Sequence, residues 1–131
     1  RREVPDAIVG AGTLLTVEQL KAAREAGAVF GVAPGFDPAV MAAAREEGLP
    51  MCPGIATASE LSQALTAGIK LVKFFPAGVY GGMKAVKALA GPFGGNVKFI
   101  PTGGVSQDNL EEYISSGASL APNGLSGVVM I

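Results

Sequence analysis

The 131-residue sequence contains no histidine. This absence excludes the serine–histidine and cysteine–histidine pairs that activate many nucleophiles, and it removes one of the commonest zinc ligands. We therefore predict no metal site. Any chemistry has to come from lysine, carboxylate, tyrosine or hydroxyl side chains, or from the backbone.

Cysteine and clustered positive charge are also scarce. Cys52 is the single cysteine, so no intrachain disulfide can form and a cytoplasmic location is predicted. The formal net charge is −1 without a basic cluster, which argues against a nucleic-acid partner. No apolar run is long enough to span a membrane, so no membrane partner is predicted. The chain opens with Arg1 rather than Met, which suggests processing or a fragment.

Short apolar runs that end in proline or glycine alternate with helical patterns along the chain. Proline lacks an amide donor and therefore belongs at the end of a strand. Strands that alternate with helices indicate βαβ units and a parallel sheet. We predict one α/β domain over residues 1–131, with about six strands and five helices. The six strand-like runs are 7–13, 28–35, 49–55, 71–77, 97–104 and 118–124.

Helix starts are marked by side chains that can accept hydrogen bonds from free backbone amides. Glycines stand where helices are predicted to end, at positions 27, 48, 68 and 117. The predicted caps are Thr16 with Gln19, Asp37 before Pro38, Thr57 with Glu60, and Ser106 for the helix that runs through Tyr113.

The strand ends favour a closed barrel over an open sheet. In a TIM barrel several strand ends surround one site, whereas an open doubly wound sheet has one switch point. Nearly every predicted strand ends in a proline, glycine or threonine turn, which suits many loops meeting at one mouth. An open flavodoxin-like sheet is the alternative.

Lys73 stands in the middle of the apolar run LVKFFPA. Side chains alternate along a strand, so Lys73 shares a face with Leu71 and Phe75, while Val72 and Phe74 suit the helix-facing layer. An amine held in an apolar interior has a lowered pKa and can form a Schiff base with a carbonyl. The alternative is an ordinary lysine that reaches water or pairs with a carboxylate.

Two turns and one thiol complete the candidates. PTGGVS, residues 101–106, places Gly103 and Gly104 before a predicted helix, where backbone amides can bind an anion. The alternative interpretation is an ordinary strand-to-helix turn without a ligand, because such a turn also requires glycine. Thr13 offers a hydroxyl at the end of GAGT, and Cys52 is predicted to be a core residue rather than a nucleophile.

Six motifs occur in a fixed order over residues 5–117: AIVGAGT, APG, PGI.T..E, KFFPA, GG.KA..A.AGPF and PTGGV. In order and spacing they resemble the 2-keto-3-deoxy-6-phosphogluconate / 4-hydroxy-2-oxoglutarate aldolases. The resemblance implies a class I aldolase on a TIM barrel, usually trimeric. It would cleave a 2-keto-4-hydroxy acid to pyruvate and an aldehyde, without a metal or another cofactor.

The resemblance also implies a role for each matching residue. Lys73 resembles the Schiff-base lysine, and Thr13 the residue that contacts the pyruvyl carboxylate. Pro34 and Phe75 resemble pocket-lining residues, while Thr102, Gly103 and Gly104 resemble the segment that binds carboxylate and phosphate groups. The implied partners are a 2-keto acid or pyruvate, a phosphate group, and further copies of the chain.

The sequence also departs from the family pattern. The family begins with two further βα units, and its second strand carries a proton-moving glutamate followed by an arginine. The sequence starts after them, and Glu3 and Asp6 do not fit that motif. Residues 115–131 carry no charge.

Gly124 and Ser126 are interpreted as remnants of a phosphate-binding strand end. We expect a barrel that is incomplete within one chain and that associates. The alternative is a non-catalytic folded fragment or assembly module.

Overall fold

A computed structural model describes residues 6–115. The predicted last run at 118–124 lies outside these residues, as do Gly117, Gly124 and Ser126. The strands are β1 Gly10–Gly12, β2 Phe30–Val32, β3 Met51–Cys52, β4 Gly54–Ile55, β5 Leu71–Phe74 and β6 Lys98–Pro101. The helices are α1 Val17–Glu25, α2 Pro38–Glu46, α3 Ala58–Thr66, α4 Gly82–Ala90 and α5 Leu110–Ser115, with a 3₁₀ turn at Gly91–Phe93.

The predicted third strand is two short strands, β3 and β4, separated by Pro53. Proline has no amide to donate, so the hydrogen-bond ladder is interrupted at this residue. β3 pairs with β2, whereas β4 pairs with β5. The carbonyl of Pro53 nevertheless accepts a 2.8 Å hydrogen bond from the amide of Lys73. One continuous segment therefore connects two three-stranded sheets.

All pairings among the described strands are parallel, and within each sheet the strands follow the order of the chain, β1-β2-β3 in one and β4-β5-β6 in the other. A flavodoxin-like sheet would place its first strand between the second and the third. Here β2 lies between β1 and β3, so the open alternative does not match the described strands. Parallel order also places the carboxyl ends of all these strands at one edge.

Most of the predicted helix starts are confirmed. The Asp37 carboxylate accepts hydrogen bonds from the amides of Ala39 and Val40. Thr57 and Glu60 form a complete capping box. The Thr16 hydroxyl accepts from the amide of Gln19, but the Gln19 side chain accepts from Leu15 rather than from Thr16.

The predicted cap at Ser106 is wrong. The amide of Ser106 donates to the Asn109 side chain, which itself donates to the carbonyl of Gly104. Asn109 thus holds residues 104–109 in turns, and α5 begins only at Leu110. Local hydrogen bonds of asparagine commonly compete with helix formation in this way.

The apolar core lies between the strands and the helices. Val72 and Phe74 are almost fully buried in one cluster with Leu61 of α3 and Val86 of α4. A second cluster is built around Leu20 of α1 and residues of α2. Val72 and Phe74 therefore face the helices, as predicted. The residues that alternate with them are only partly buried, namely Leu71, Lys73 and Phe75.

Candidate active site

Lys73 lies in β5 beside two neighbouring strands. It is in register with Gly54 of β4 on one side and with Ile100 of β6 on the other. Its amine lies 4.3 Å from the centre of the Phe75 ring, which is two residues further along the same face. The amine thus lies over an aromatic ring on the face opposite the helix-packed core.

Burial lowers the pKa of the Lys73 amine, and the nearby Cys52 acts in the opposite direction. Burial is the larger influence because it removes water from the charged form. No carboxylate within residues 6–115 contributes to this shift. The alternative of a carboxylate-paired lysine therefore finds no support in the described part of the chain, and the neutral amine becomes accessible at lower pH.

Cys52 is buried, with 8% of its surface exposed, and it belongs to neither apolar cluster. Burial raises the pKa of its thiol to about 11, which the Lys73 charge partly opposes. A thiol with this pKa is almost wholly protonated at neutral pH and is a poor nucleophile. Its burial and its raised pKa agree with the prediction that Cys52 is a core residue rather than a nucleophile.

Pro34 follows β2 and lies directly against the strand that flanks Lys73. A Cβ atom at Gly54 would overlap the carbonyl group of Pro34. Gly54 therefore allows the turn after β2 to reach β4, whose other neighbour is β5. This role of Gly54 was not predicted from the sequence, although a glycine inside a predicted strand is a known signal of close backbone approach.

Thr102, Gly103 and the segment after β5 form a second group. The amides of Ala77 and Gly78 donate 2.8 Å hydrogen bonds to the carbonyls of Thr102 and Gly103. A Cβ atom at Gly103 would stand 3.1 Å from the Phe75 ring. The structure therefore brings Phe75, Thr102 and Gly103 together. Gly54 links the other two predicted residues, because the Pro34 carbonyl lies against it and Lys73 is its partner in the neighbouring strand.

Thr13 is placed further from this group. It is exposed and comes directly after β1, at the same edge of the sheets. β2 and the β3–β4 segment lie between β1 and β5 in the order of pairing. Thr13 therefore shares the strand-end edge with Lys73 without being its immediate neighbour.

One hydroxyl and two backbone amides at this edge have no hydrogen-bond partner among residues 6–115. The Thr102 hydroxyl oxygen is buried and makes no hydrogen bond to any of these residues. Gly103 and Gly104 both have positive φ, and their amides donate to no acceptor among residues 6–115. Because α5 begins six residues after Gly104, the helix N-terminus predicted behind these glycines is not adjacent to them.

A groove between α2 and α3 is separate from the predicted site residues. It has a volume of about 1160 Å³, is lined by Met41, Arg45 and Ser62 among others, and contains none of the predicted site residues. Residues 6–115 contain no group of three side chains that could hold a metal ion. Within the same residues no helix is both long and apolar enough to cross a membrane.

A family model described as the KDPG and KHG aldolase matches residues 1–129. The chain belongs to this aldolase family. The 2-dehydro-3-deoxy-phosphogluconate aldolase of Treponema pallidum is 49% identical over 124 residues, which are 95% of this chain and 59% of that protein.

Solved aldolases also match this chain. The KDPG aldolase of Legionella pneumophila, solved with pyruvate captured as a covalent carbinolamine, is 41% identical with a TM-score of 0.81 over 86% of this chain and 54% of its own. The 2-keto-3-deoxy-6-phosphogluconate aldolase of Zymomonas mobilis, solved with 3-phosphoglycerate, is 37% identical with a TM-score of 0.82. The match covers 94% of this chain and 62% of the Zymomonas chain. The chain thus spans less than two thirds of each relative.

Proposed function

We propose that this chain carries the pyruvate-binding half of a class I aldolase site, with Lys73 as the nucleophile. The single observation that carries the proposal is the position of the Lys73 amine. The amine is partly buried, has a lowered pKa and lies over the Phe75 ring, and Gly103 approaches that same ring. Membership of the aldolase family supports the same chemistry.

The chemistry begins with attack of the neutral Lys73 amine on the keto carbon of a 2-keto acid. A C–N bond forms, the amine proton passes to oxygen, and the carbinolamine loses water to give an imine. In a 2-keto-4-hydroxy acid the imine accepts the electron pair when the C3–C4 bond breaks. The C4 hydroxyl gives up its proton as the aldehyde leaves, the enamine takes up a proton at C3, and addition of water to the resulting imine releases pyruvate and the amine.

The substrate class follows from the groups around the amine. The Thr102 hydroxyl and the free amides of Gly103 and Gly104 are donors that suit the carboxylate or phosphate of a substrate such as 2-keto-3-deoxy-6-phosphogluconate. Pro34 and Phe75 would line the apolar side of the pocket. Thr13 would reach the carboxylate from β1 once the remaining strands are in place.

We also propose that the described strands are part of a TIM barrel that is incomplete within these 131 residues. The sequential parallel order supports a barrel, as do TM-scores of 0.81 and 0.82 to solved aldolases, of which this chain covers 54% and 62%. Further strands, supplied by other segments or other copies of the chain, would close it.

Trapping with pyruvate and sodium borohydride tests the lysine directly. Reduction of the imine should add one stable pyruvate-derived group, which peptide mass spectrometry should locate at Lys73. Lys73→Arg should abolish the adduct because a guanidinium stays protonated. Lys70→Arg is the matched control, since Lys70 is an exposed lysine just before the same strand. An adduct that persists without Lys73 would contradict the proposal.

Turnover is a separate question from imine formation. No carboxylate affects Lys73 within the described residues, and one positioned acid–base group contributes about 10²–10⁴-fold to a rate. We therefore expect the 131-residue chain to form the imine yet to release pyruvate from 2-keto-3-deoxy-6-phosphogluconate far more slowly than typical enzymes, whose rates are about 1–10³ s⁻¹. A coupled pyruvate assay measures this, and a typical rate would show that another residue moves the proton.

A further inference from the structure

The start of α4 differs from the starts of the other nine-residue helices. Thr16, Asp37 and Thr57 place a side-chain oxygen over the first turns of α1, α2 and α3. α4 follows Gly81, which has no side chain and a φ of 96°, and no side chain caps it. The amides of Met83 and Lys84 donate to no acceptor among residues 6–115.

Charge at this helix start also favours an anion. The first turn of α4 contains no acidic residue, and Lys84 stands in it on the exposed side. The N-terminus of a helix carries a partial positive charge, so a lysine there is unfavourable unless a negative group is near. Free amides, the helix dipole and an ammonium group are all complementary to one bound anion.

The second, independent observation is the Tyr113 hydroxyl. Tyr113 of α5 is 3% exposed, and its ring packs in the cluster that contains Met83 and Val86 of α4. Its oxygen would lie 3.2 Å from a Cβ atom at Gly82, the first residue of α4. No hydrogen bond of this hydroxyl occurs within residues 6–115. A deeply buried side chain therefore directs its one polar atom to the uncapped helix start.

We propose that the start of α4 is an oxyanion site, formed by the amides of Met83 and Lys84, the Lys84 ammonium and the Tyr113 hydroxyl. All these groups are donors and no carboxylate is among them, which suits a phosphate dianion, free or as a monoester. The absence of a side chain at Gly82 lets the Tyr113 hydroxyl come close to the start of α4, since a Cβ atom there would stand 3.2 Å from its oxygen. The site shares no residue with Thr102, Gly103 and Gly104 and does not depend on chemistry at Lys73.

The test is a phosphate titration followed by amide NMR, which reports each backbone position separately. The Met83 and Lys84 amides should shift together with one dissociation constant. Tyr113→Phe keeps the buried ring and removes only the oxygen, and it should weaken binding about tenfold, as loss of a hydrogen bond to a charged group does. Lys84→Gln should weaken it severalfold. This substitution lies on the surface, so it tests the site even where Tyr113→Phe affects folding.

Two matched variants serve as controls. Tyr80→Phe removes an exposed phenol from the loop before α4, and Lys87→Gln removes a lysine from the last turn of the same helix. Both should leave the dissociation constant unchanged. Glycerol 3-phosphate in place of inorganic phosphate distinguishes a monoester site from a free-phosphate site, since the preferred ligand binds more tightly. Unshifted Met83 and Lys84 amides, or equal affinities in all four variants, would overturn the proposal.

Discussion

At the scale of single residues, β5 contains a partly buried lysine whose charged form is destabilised by loss of water. Val72 and Phe74 are almost fully buried on the helix side, so the alternation of β5 places Lys73 on the opposite face. Burial there lowers the pKa of the amine. The feature that supports imine formation should therefore also reduce the stability of the folded chain.

We predict that Lys73→Met stabilises the protein at neutral pH. Below the folded-state pKa the amine is charged in both states, and the folded state bears the full cost of burying the charge. Above the ordinary value of 10.5 the amine is neutral in both states and the cost disappears. The advantage of Lys73→Met should thus shrink as pH rises from the lowered pKa towards 10.5.

Urea unfolding at a series of pH values measures this difference. Lys70→Met, which removes an exposed lysine just before the same strand, controls for the general loss of positive charge. A Lys73→Met variant that is less stable than the parent at pH 7 would show that the amine makes favourable interactions that outweigh its burial.

The face of β5 on which Lys73 lies was predictable, because side-chain alternation along a strand is local. The neighbours of Lys73 were not predictable in this way, because the approach of Pro34 to Gly54 joins residues 20 positions apart, and the approach of Gly103 to Phe75 joins residues 28 apart. These proximities depend on strand pairing. The family resemblance supplied Pro34, Phe75 and Gly103 as site residues, whereas Gly54 was missed.

At the scale of elements, helix starts were predictable wherever the cap is a short-range hydrogen bond. Thr57 and Glu60 satisfy each other within four residues, and Asp37 caps two amides directly after it. The predicted Ser106 cap was wrong because the Asn109 side chain accepts from the Ser106 amide and donates to the Gly104 carbonyl, which holds this segment in turns. Pro53 divides the predicted third strand into β3 and β4, because proline has no backbone N–H to donate to the hydrogen-bond ladder.

We predict that Thr57→Ala lowers the free energy of unfolding by about 1 kcal/mol, the usual cost of losing an N-cap. The Thr57 hydroxyl accepts from the amide of Glu60, and this acceptor disappears. Thr66→Ala is the matched control at the end of the same helix, where alanine is the better helix former and should cost almost nothing. Urea denaturation of both variants gives the comparison. Equal losses would assign the effect to threonine in general and not to the cap.

Gly54→Ala should destabilise the chain by about 1–3 kcal/mol, the range typical of overpacking. The new methyl group would overlap the carbonyl of Pro34, which is backbone and cannot rotate away. Gly35→Ala is the control, because a Cβ at that neighbouring glycine meets nothing within 4 Å. Thermal unfolding of the two variants measures the difference, and a Gly54→Ala chain as stable as the parent would show that the turn after β2 can move away.

At the scale of the whole molecule, β1 and β6 are outer strands among those in residues 6–115. β1 has one partner, β2, and β6 has one partner, β5, among the described strands. An unprotected edge strand pairs readily with another chain, and lysines are a common means of preventing this. Residues 7–17 around β1 contain no charge, and Ile8, Val9 and Leu15 are exposed.

We therefore predict that the 131-residue chain associates through the β1 edge. Light scattering coupled to size exclusion at micromolar concentration should give a mass above the 13.1 kDa of one chain. Val9→Lys places a charge beside the edge and should shift the equilibrium towards the monomer, because pairing would bury the ammonium. Ala22→Lys adds the same charge to an exposed position of α1 and should leave association unchanged. A parent chain that is monomeric and melts cooperatively would show that the β1 edge is protected within one chain.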